Sequence, residues 1–302
     1  MYDIIVIGAG PAGLTAALYA LRADKSVLVL EKATFGGQIT YSPQIENYPG
    51  FIRMSGNEFA DKLVDQVISQ GAEIEMEKVI AVKDCAEYKT VVTEDGEYQA
   101  KAVIIATGVK HRQTGLPNEN ELVGSGVSYC AVCDGAFFKG QTVAVLGGGN
   151  SALQEALLLA DGCKKVYVIQ NLDTFTGEAR LVERLKERQN VELITGTVIT
   201  ALKGEKTLES VILKKESDAT ESELFVDGLF VAIGLVPEND AFSNVADLDK
   251  YGYFDSDESC VSCTSGVFVA GDCRSKSTRQ ITTAVADGSV AALAACRYID
   301  NM

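Results

Sequence analysis

The sequence predicts an α/β protein built from two Rossmann-like, three-layer units, and three observations predict it. A continuous apolar run at the start, MYDIIVIG, leads into the glycine-rich turn GAGPAG at 8–13. The same pattern of strand, turn, helix and strand returns at a constant offset, since 8 + 139 = 147, 10 + 139 = 149, 13 + 139 = 152 and 31 + 139 = 170. The chain has 302 residues, room for two domains of ordinary size.

Each element has its reason. IIVIG is apolar throughout, as a parallel strand covered on both faces must be. In GAGPAG the first glycine allows the tight turn and the second lets a pyrophosphate approach the backbone. The third lets the helix pack close to the strand. LTAALYALRAD then shows helical spacing, and SVLVLEK is the next buried strand, closed by Glu31. The second copy, TVAVLGGGNSALQEALLLADGCKKVYVIQN, begins at Thr142, with the small Ala152 at the third glycine position. Amides at a helix N-terminus after such a turn suit phosphate groups. Two copies in register point to two nucleotide-binding units, and one difference separates them. Copy one has the acid Glu31 where copy two has the uncharged Gln170.

Composition narrows the function. Hydrophobic residues make up 47% and charged residues 23%, an ordinary globular balance. A net charge of −15 argues against nucleic acid, whose phosphates need a basic face. The start has neither a basic n-region nor a long apolar run, so a soluble, cytoplasmic protein with no membrane partner is expected. In a reducing cytosol the eight cysteines are expected mostly as free thiols, and a close pair then suggests redox or metal chemistry. Two pairs have C-x-x-C spacing, Cys130/Cys133 and Cys260/Cys263. Together they could form a four-thiolate metal site, the alternative to a redox disulfide.

These residues also carry a family signature. GAGPAG (8–13), GGQIT (36–40), IENYPGF (45–51), ATG (106–108), CAVCDG (130–135), GGGNSA (147–152), VFVAGDC (267–273) and RQITTAVADG (279–288) stand in the order found in the low-molecular-weight, flavin-dependent thioredoxin reductases. The chain resembles that family over essentially its whole length. The resemblance implies an FAD-binding domain at 1–113 and 244–302, with a second Rossmann domain at 114–243 inserted into it. The joints fall in polar, Gly- and Pro-containing stretches, HRQTGLPNENELVGSG and AIGLVPENDAF. It also implies a homodimer and thioredoxin as protein substrate.

Site residues follow position by position from the resemblance. Gly8, Gly10, Pro11, Ala12 and Gly13 would hold the FAD pyrophosphate, and Glu31 the ribose. Gly37, Gln38, Asn47 and Gly108 would line the cofactor, and Val79 would meet the adenine. Asp272 would contact the ribityl or phosphate portion, and Arg279, Gln280 and Ile281 would sit beside the isoalloxazine. Cys133 would face the flavin, and Cys130 would attack the thioredoxin disulfide. Asp134 would handle the thiol protons, with a helix N-cap as its alternative role.

The sequence departs from the family at one place. NADPH-dependent members carry His-Arg-Arg-x-x-x-Arg after the second Rossmann strand, where forked cations clamp the 2′-phosphate. Here the positions read Gln170, Asn171, Leu172 and Thr176. The departure resembles ferredoxin-dependent flavin thioredoxin reductases, so a nicotinamide cofactor is doubtful and ferredoxin is the expected donor. NADH is the alternative favoured by the intact second glycine loop. NADPH would need basic groups elsewhere, such as Lys164, Lys165 or Arg180. A non-catalytic FAD-binding sensor or scaffold is the reading from another class, and retention of Cys130, Cys133 and Asp134 argues against it.

Overall fold

The computed structural model describes residues 1–42 and 45–302. It divides into two compact units, one of Met1–Tyr41, Tyr48–Lys110 and Val236–Met302, the other of Ser42–Asn47 and His111–Leu235.

The first unit is built on a parallel sheet. Strands β1 (Tyr2–Ile7), β2 (Val27–Leu30), β3 (Glu73–Glu75), β6 (Glu97–Ile105) and β17 (Val267–Val269) lie in the order β3-β2-β1-β6-β17. The central ones are buried along their length, which is why IIVI and VLVL read as unbroken apolar runs. The N-terminal half of β6 carries an antiparallel extension, β5 (Lys89–Thr93) and β4 (Val79–Asp84). Three helices belong to this unit: α1 (Pro11–Arg22), α2 (Gly56–Ser69) and α7 (Ile281–Asp300). Ser55 starts α2 by accepting the N–H of Glu58, a cap that the sequence SGNE supplies.

Helices α1 and α7 cross through small residues. Ala12, Ala16, Ala17 and Ala20 of α1 and Ala284, Ala291, Ala292 and Ala295 of α7 share one buried cluster. The approach is so close at Gly288 that a Cβ there would lie 2.2 Å from the Ala12 carbonyl oxygen. This crossing sets the N-terminal end of α7 beside the glycine turn before α1.

The short strands β7 (Lys110–His111) and β16 (Leu235–Val236) carry the chain out of and back into the first unit. The second unit repeats the parallel plan. Strands β8 (Val127–Ser128), β9 (Thr142–Leu146), β10 (Lys165–Ile169), β11 (Val191–Ile194) and β15 (Gly228–Val231) are ordered β11-β10-β9-β15-β8. Helices α5 (Asn150–Ala160) and α6 (Ala179–Lys186) pack on it, and the short helices α3 (Glu119–Leu122) and α4 (Ala131–Asp134) precede β9. A three-stranded antiparallel sheet, β12 (Thr197–Lys203), β13 (Ser210–Lys215) and β14 (Glu221–Phe225), is inserted before β15. The mixed α/β class with two Rossmann-like sheets is therefore as the sequence predicts.

The two glycine turns are the same structure twice. A Cβ on Gly8 would lie 2.4 Å from the Ala106 carbonyl oxygen, and one on Gly147 would lie 2.4 Å from that of Ala232. Both glycines have positive φ, 106° and 139°. Each turn is thus pressed against the end of the neighbouring parallel strand, and only glycine fits.

Candidate active site

Each unit carries one candidate site. In the first, β1 ends at Ile7, just before Gly8, and α1 begins after Gly10 with Pro11 in its first turn. The first bond inside the helix runs from Leu14 N–H to Gly10 O, so the amides of Ala12 and Gly13 have no partner within the helix. Glu31, buried at the end of β2, accepts the N–H of Ala9 at 2.8 Å and that of Ala33 at 2.8 Å. It therefore braces the turn and keeps further lone pairs for a hydroxyl. Gly37 comes close to Gly10, its Cβ position 3.8 Å from the Gly10 Cα, and Gln38 follows it in a short 3₁₀ turn.

The other side of this site is formed by the 271–281 segment. Gly271 touches Ala12, with a Cβ position 2.8 Å from the Ala12 Cβ, so Asp272 is placed next to the glycine turn. One carboxylate oxygen of Asp272 is fully enclosed and has no hydrogen-bond partner among the described residues. Burial pushes its pKa up to about 6. Buried polar atoms are rarely left unpaired, and an orphan beside an open phosphate cradle fits a ligand with hydroxyl groups. Gln280 caps α7 by a reciprocal exchange with Thr283, and Ile281 is the first helical residue. Arg279 lies over the Tyr253 ring, 4.2 Å from its centre, and donates to the carbonyls of Asp272, Arg274 and Lys276. Gly108, with φ of 66°, follows β6, and Val79 opens β4. Asn47 lies in the 42–47 segment that groups with the second unit.

Sequence reasoning missed what holds this segment. Asp287 on α7 accepts the Gly271 N–H at 3.0 Å, Arg274 through Nε at 2.8 Å and NH2 at 2.9 Å, and Lys276 at 2.8 Å. Arg274 and Asp287 are buried. Burial opposes the charge, yet Arg274 and Lys276 hold the Asp287 carboxyl below the ordinary carboxylate range. An acid on the buried face of α7, one residue before Gly288, was the available signal.

The second site is the 128–134 turn. Cys130 and Cys133 form a disulfide with a Cα–Cα distance of 5.3 Å. The Cys130 sulfur accepts the Cys133 N–H at 3.2 Å, capping α4. Both cysteines are partly exposed and Val132 between them is 54% exposed, so the turn is open to a partner. Ser128, buried at the end of β8, accepts the Cys130 N–H at 3.1 Å and donates to Asp134 at 2.6 Å. The other Asp134 oxygen is enclosed without a partner among the described residues. Burial raises the Asp134 pKa, against the Ser128 hydrogen bond that lowers it. Asp134 makes no capping bond to the 3₁₀ turn that follows.

Among the described residues no group of three or more His, Cys, Asp or Glu is arranged to hold a metal. Cys260 is buried with its thiol pushed up to about 12 by burial, and Cys263 is exposed; neither is in a disulfide.

At the second glycine loop, the Gly148 carbonyl accepts the N–H groups of Thr176 and Gly177, both at 2.9 Å. Gln170 is buried against Gly148 and donates to the Thr174 carbonyl at 3.4 Å. Asn150 at the start of α5 accepts the Glu178 N–H at 2.7 Å and donates to the Glu178 carboxylate at 3.2 Å. The segment over this loop therefore brings Asp173 and Glu178 and no Lys or Arg between 170 and 179.

The comparisons with known proteins agree with this geometry. Residues 2–288 match the pyridine nucleotide-disulphide oxidoreductase family. The chain belongs to that family. The protein is an enzyme of the flavoprotein disulfide oxidoreductase class. It is similar to the thioredoxin reductase of Listeria innocua, with 42% identity over 100% of this chain and 95% of that protein. A 34.2 kDa protein in a rubredoxin operon of Clostridium pasteurianum is 40% identical over 98% of this chain and 97% of its own. The crystal structure of the Streptococcus pyogenes thioredoxin reductase superposes with a TM-score of 0.95 at 38% identity, covering 100% and 99% of the two chains. No helix among the described residues is long and apolar enough to cross a membrane.

Proposed function

We propose that this oxidoreductase is an FAD-dependent thioredoxin reductase in which the Cys130–Cys133 disulfide passes electrons to the disulfide of thioredoxin. The observation that carries it is the disulfide on a partly exposed turn, with an enclosed acid, Asp134, tied to it through Ser128. Relatives of 38–42% identity over the full chain bear the thioredoxin reductase name.

Gly8, Gly10, Pro11, Ala12, Gly13, Glu31, Gly37, Gln38, Gly108, Asp272 and the start of α7 at Arg279–Ile281 would hold FAD, with Asn47 and Val79 lining it. A flavin held there, once reduced by its donor, would supply the two electrons that open the Cys130–Cys133 bond. Opening consumes two protons, and Asp134, kept protonated to higher pH by burial, holds one at the turn. Cys130 then attacks the partner disulfide as thiolate, forming a mixed disulfide and releasing one partner sulfur. Cys133 attacks Cys130 in that mixed disulfide, which restores the 130–133 bond and releases the second sulfur. Ser128 fixes the turn through the Cys130 amide while these bonds change.

For the donor we favour a one-electron carrier of the ferredoxin type. The second glycine loop carries no cation at 170, 171, 172 or 176, and Glu178 is bound to Asn150 at its helix start, so a 2′-phosphate meets negative charge. NADH is the second reading, favoured by the intact Gly147–Ala152 turn and by the family's pyridine-nucleotide name. The chain is read as a cytoplasmic homodimer on the resemblance.

Dithionite reduction of the FAD-loaded protein followed by oxidised thioredoxin tests the reading: new thioredoxin thiols are expected, and none would favour the scaffold class. Anaerobic mixing with NADH, NADPH and reduced ferredoxin separates the donors. Rapid flavin bleaching by micromolar NADPH overturns the ferredoxin assignment.

A further inference from the structure

The Cys130–Cys133 turn is held from two sides. Asp134 and Ser128 lie on one; the other is Glu155, which no motif marks. Glu155 sits on α5, in the helical register that carries Ala152, Ala156 and Leu159 into the core of the second unit. Its carboxylate accepts the N–H of Ala131 at 3.3 Å. Ala131 is buried in that same core and directly follows Cys130. An apolar residue would fill this place without a desolvation cost, yet an acid stands there.

The surroundings leave Glu155 without a compensating cation. It is the only ionisable residue in α5. From α4 it meets the Ala131 amide, the residue next to Cys130, and the one acid of that helix is Asp134. From α6 the buried residues are Leu181 and Leu185, with Arg180, Glu183, Arg184 and Lys186 exposed. From β9 there is no charge, and on β10 Lys165 is paired with Glu192. Burial pushes the Glu155 pKa up to about 7, with the Ala131 hydrogen bond opposing.

We propose that Glu155 is a positioning residue of the redox turn, holding the Ala131 amide and setting by its own ionisation how readily Cys130 becomes a thiolate. This rests on the reading of Cys130–Cys133 as the redox couple. The sign follows from charge. A carboxylate beside Cys130 disfavours a second negative charge there, whereas the neutral acid does not. As pH rises through about 7 the carboxylate forms, and Cys130 becomes harder to ionise. The Cys130 titration is therefore spread over a wide pH range. A neutral acid near pH 7 also holds a proton next to a couple that takes up two on reduction.

The test is the rate of Cys130 alkylation by iodoacetamide in the full, FAD-loaded chain after reduction with dithiothreitol, followed by peptide mass mapping from pH 5.5 to 9. E155Q keeps an oxygen for the Ala131 N–H and removes the charge. It is expected to alkylate roughly three- to tenfold faster at pH 8, a shift of up to one pKa unit, with a narrower titration. The same gain is expected in the Asp134→Asn background, which separates the two acids. An E155Q profile that overlays wild type overturns the inference, because a purely structural role predicts that result. Should E155Q fail to fold, infrared titration of the wild type labelled in its glutamate carboxyls takes its place: the Glu155 band is expected to titrate at higher pH once Cys130 is a thiolate, and no movement overturns the proposal. If Cys130 in wild type does not react at any pH, the redox reading itself falls; if wild type reacts and E155Q matches it, only the role of Glu155 falls.

Discussion

Replacing Asp272 by Asn should make the cofactor-free protein more stable at neutral pH and less able to hold FAD. One Asp272 oxygen is enclosed without a partner among the described residues, and burial raises the carboxyl from an ordinary 3.8 to about 6. Each pKa unit is worth about 1.4 kcal/mol, so keeping this group ionised above pH 6 costs the fold up to about 3 kcal/mol. The sign is that of a raised acid. The folded chain binds the proton more tightly than the unfolded one, so the contribution is most favourable below 3.8 and is lost as pH rises through about 6. Asn carries no charge and escapes that loss. Urea melts of FAD-free wild type and D272N at pH 4.5 and 7.5 measure it. The variant should gain up to about 3 kcal/mol at pH 7.5 and no more than about 1 kcal/mol at pH 4.5, where the unfolded carboxyl is already partly ionised. With FAD present the order should narrow or reverse, since wild type regains a partner for the orphan oxygen. A D272N protein that is less stable without FAD at pH 7.5, or a gain of equal size at both pH values, would refute the reasoning.

Three other substitutions read the structure at different points. Gly288→Ala places a methyl 2.2 Å from the Ala12 carbonyl oxygen and 3.1 Å from the Ala16 nitrogen; overpacking of this kind costs about 1–3 kcal/mol or more, and the purified protein should have lost flavin absorbance as well as melting temperature. Asp287→Asn removes the buried carboxylate that Arg274 and Lys276 share and leaves Arg274 the exposed Glu258 at 3.2 Å as its acid; breaking such a buried pair costs about 3–5 kcal/mol, which thermal melts would show as a loss far larger than any surface ion-pair variant gives. Cys130→Ser should leave flavin binding intact and abolish thioredoxin reduction, and Cys133→Ser should do the same; thiol counting on thioredoxin checks both, and normal turnover by either contradicts the assigned couple.

The sequence reveals what the backbone itself demands. Gly8 and Gly147 are readable because each is pressed against a neighbouring carbonyl, so no other residue can stand there. The apolar runs of β1, β2 and β9 are readable because strands covered on both faces admit few alternatives. The Cys130–Cys133 pair is readable because its partners are three residues apart. Ser128, Glu155, Arg274, Lys276 and Asp287 are not. Their roles come from contacts made after folding: Glu155 reaches Ala131 across 24 residues, and Asp287 reaches Gly271 across 16. For Glu155 and Asp287 the trace in sequence is a charge on the buried side of a helix, beside Ala152 and Ala156 in one case and between Ala284 and Ala291 in the other; Ser128, Arg274 and Lys276 leave none.

The repeat shows why the shared turn geometry and the ligand chemistry separate so cleanly. In both units the turn glycine donates its N–H to the carbonyl at the end of the next strand, Gly8 to Leu30 at 2.8 Å and Gly147 to Ile169 at 2.9 Å. The residue that follows that strand differs: Glu31 turns its carboxylate on the first turn, whereas Gln170 fills the space against Gly148 and bonds Thr174. The first site pairs an acid with open helix amides, which suits a ribose and its pyrophosphate. The second offers the same backbone with Glu178 bound at its helix start and no cation from 170 to 179. Backbone geometry alone would assign the two turns one function; the charge placed around each one sets them apart.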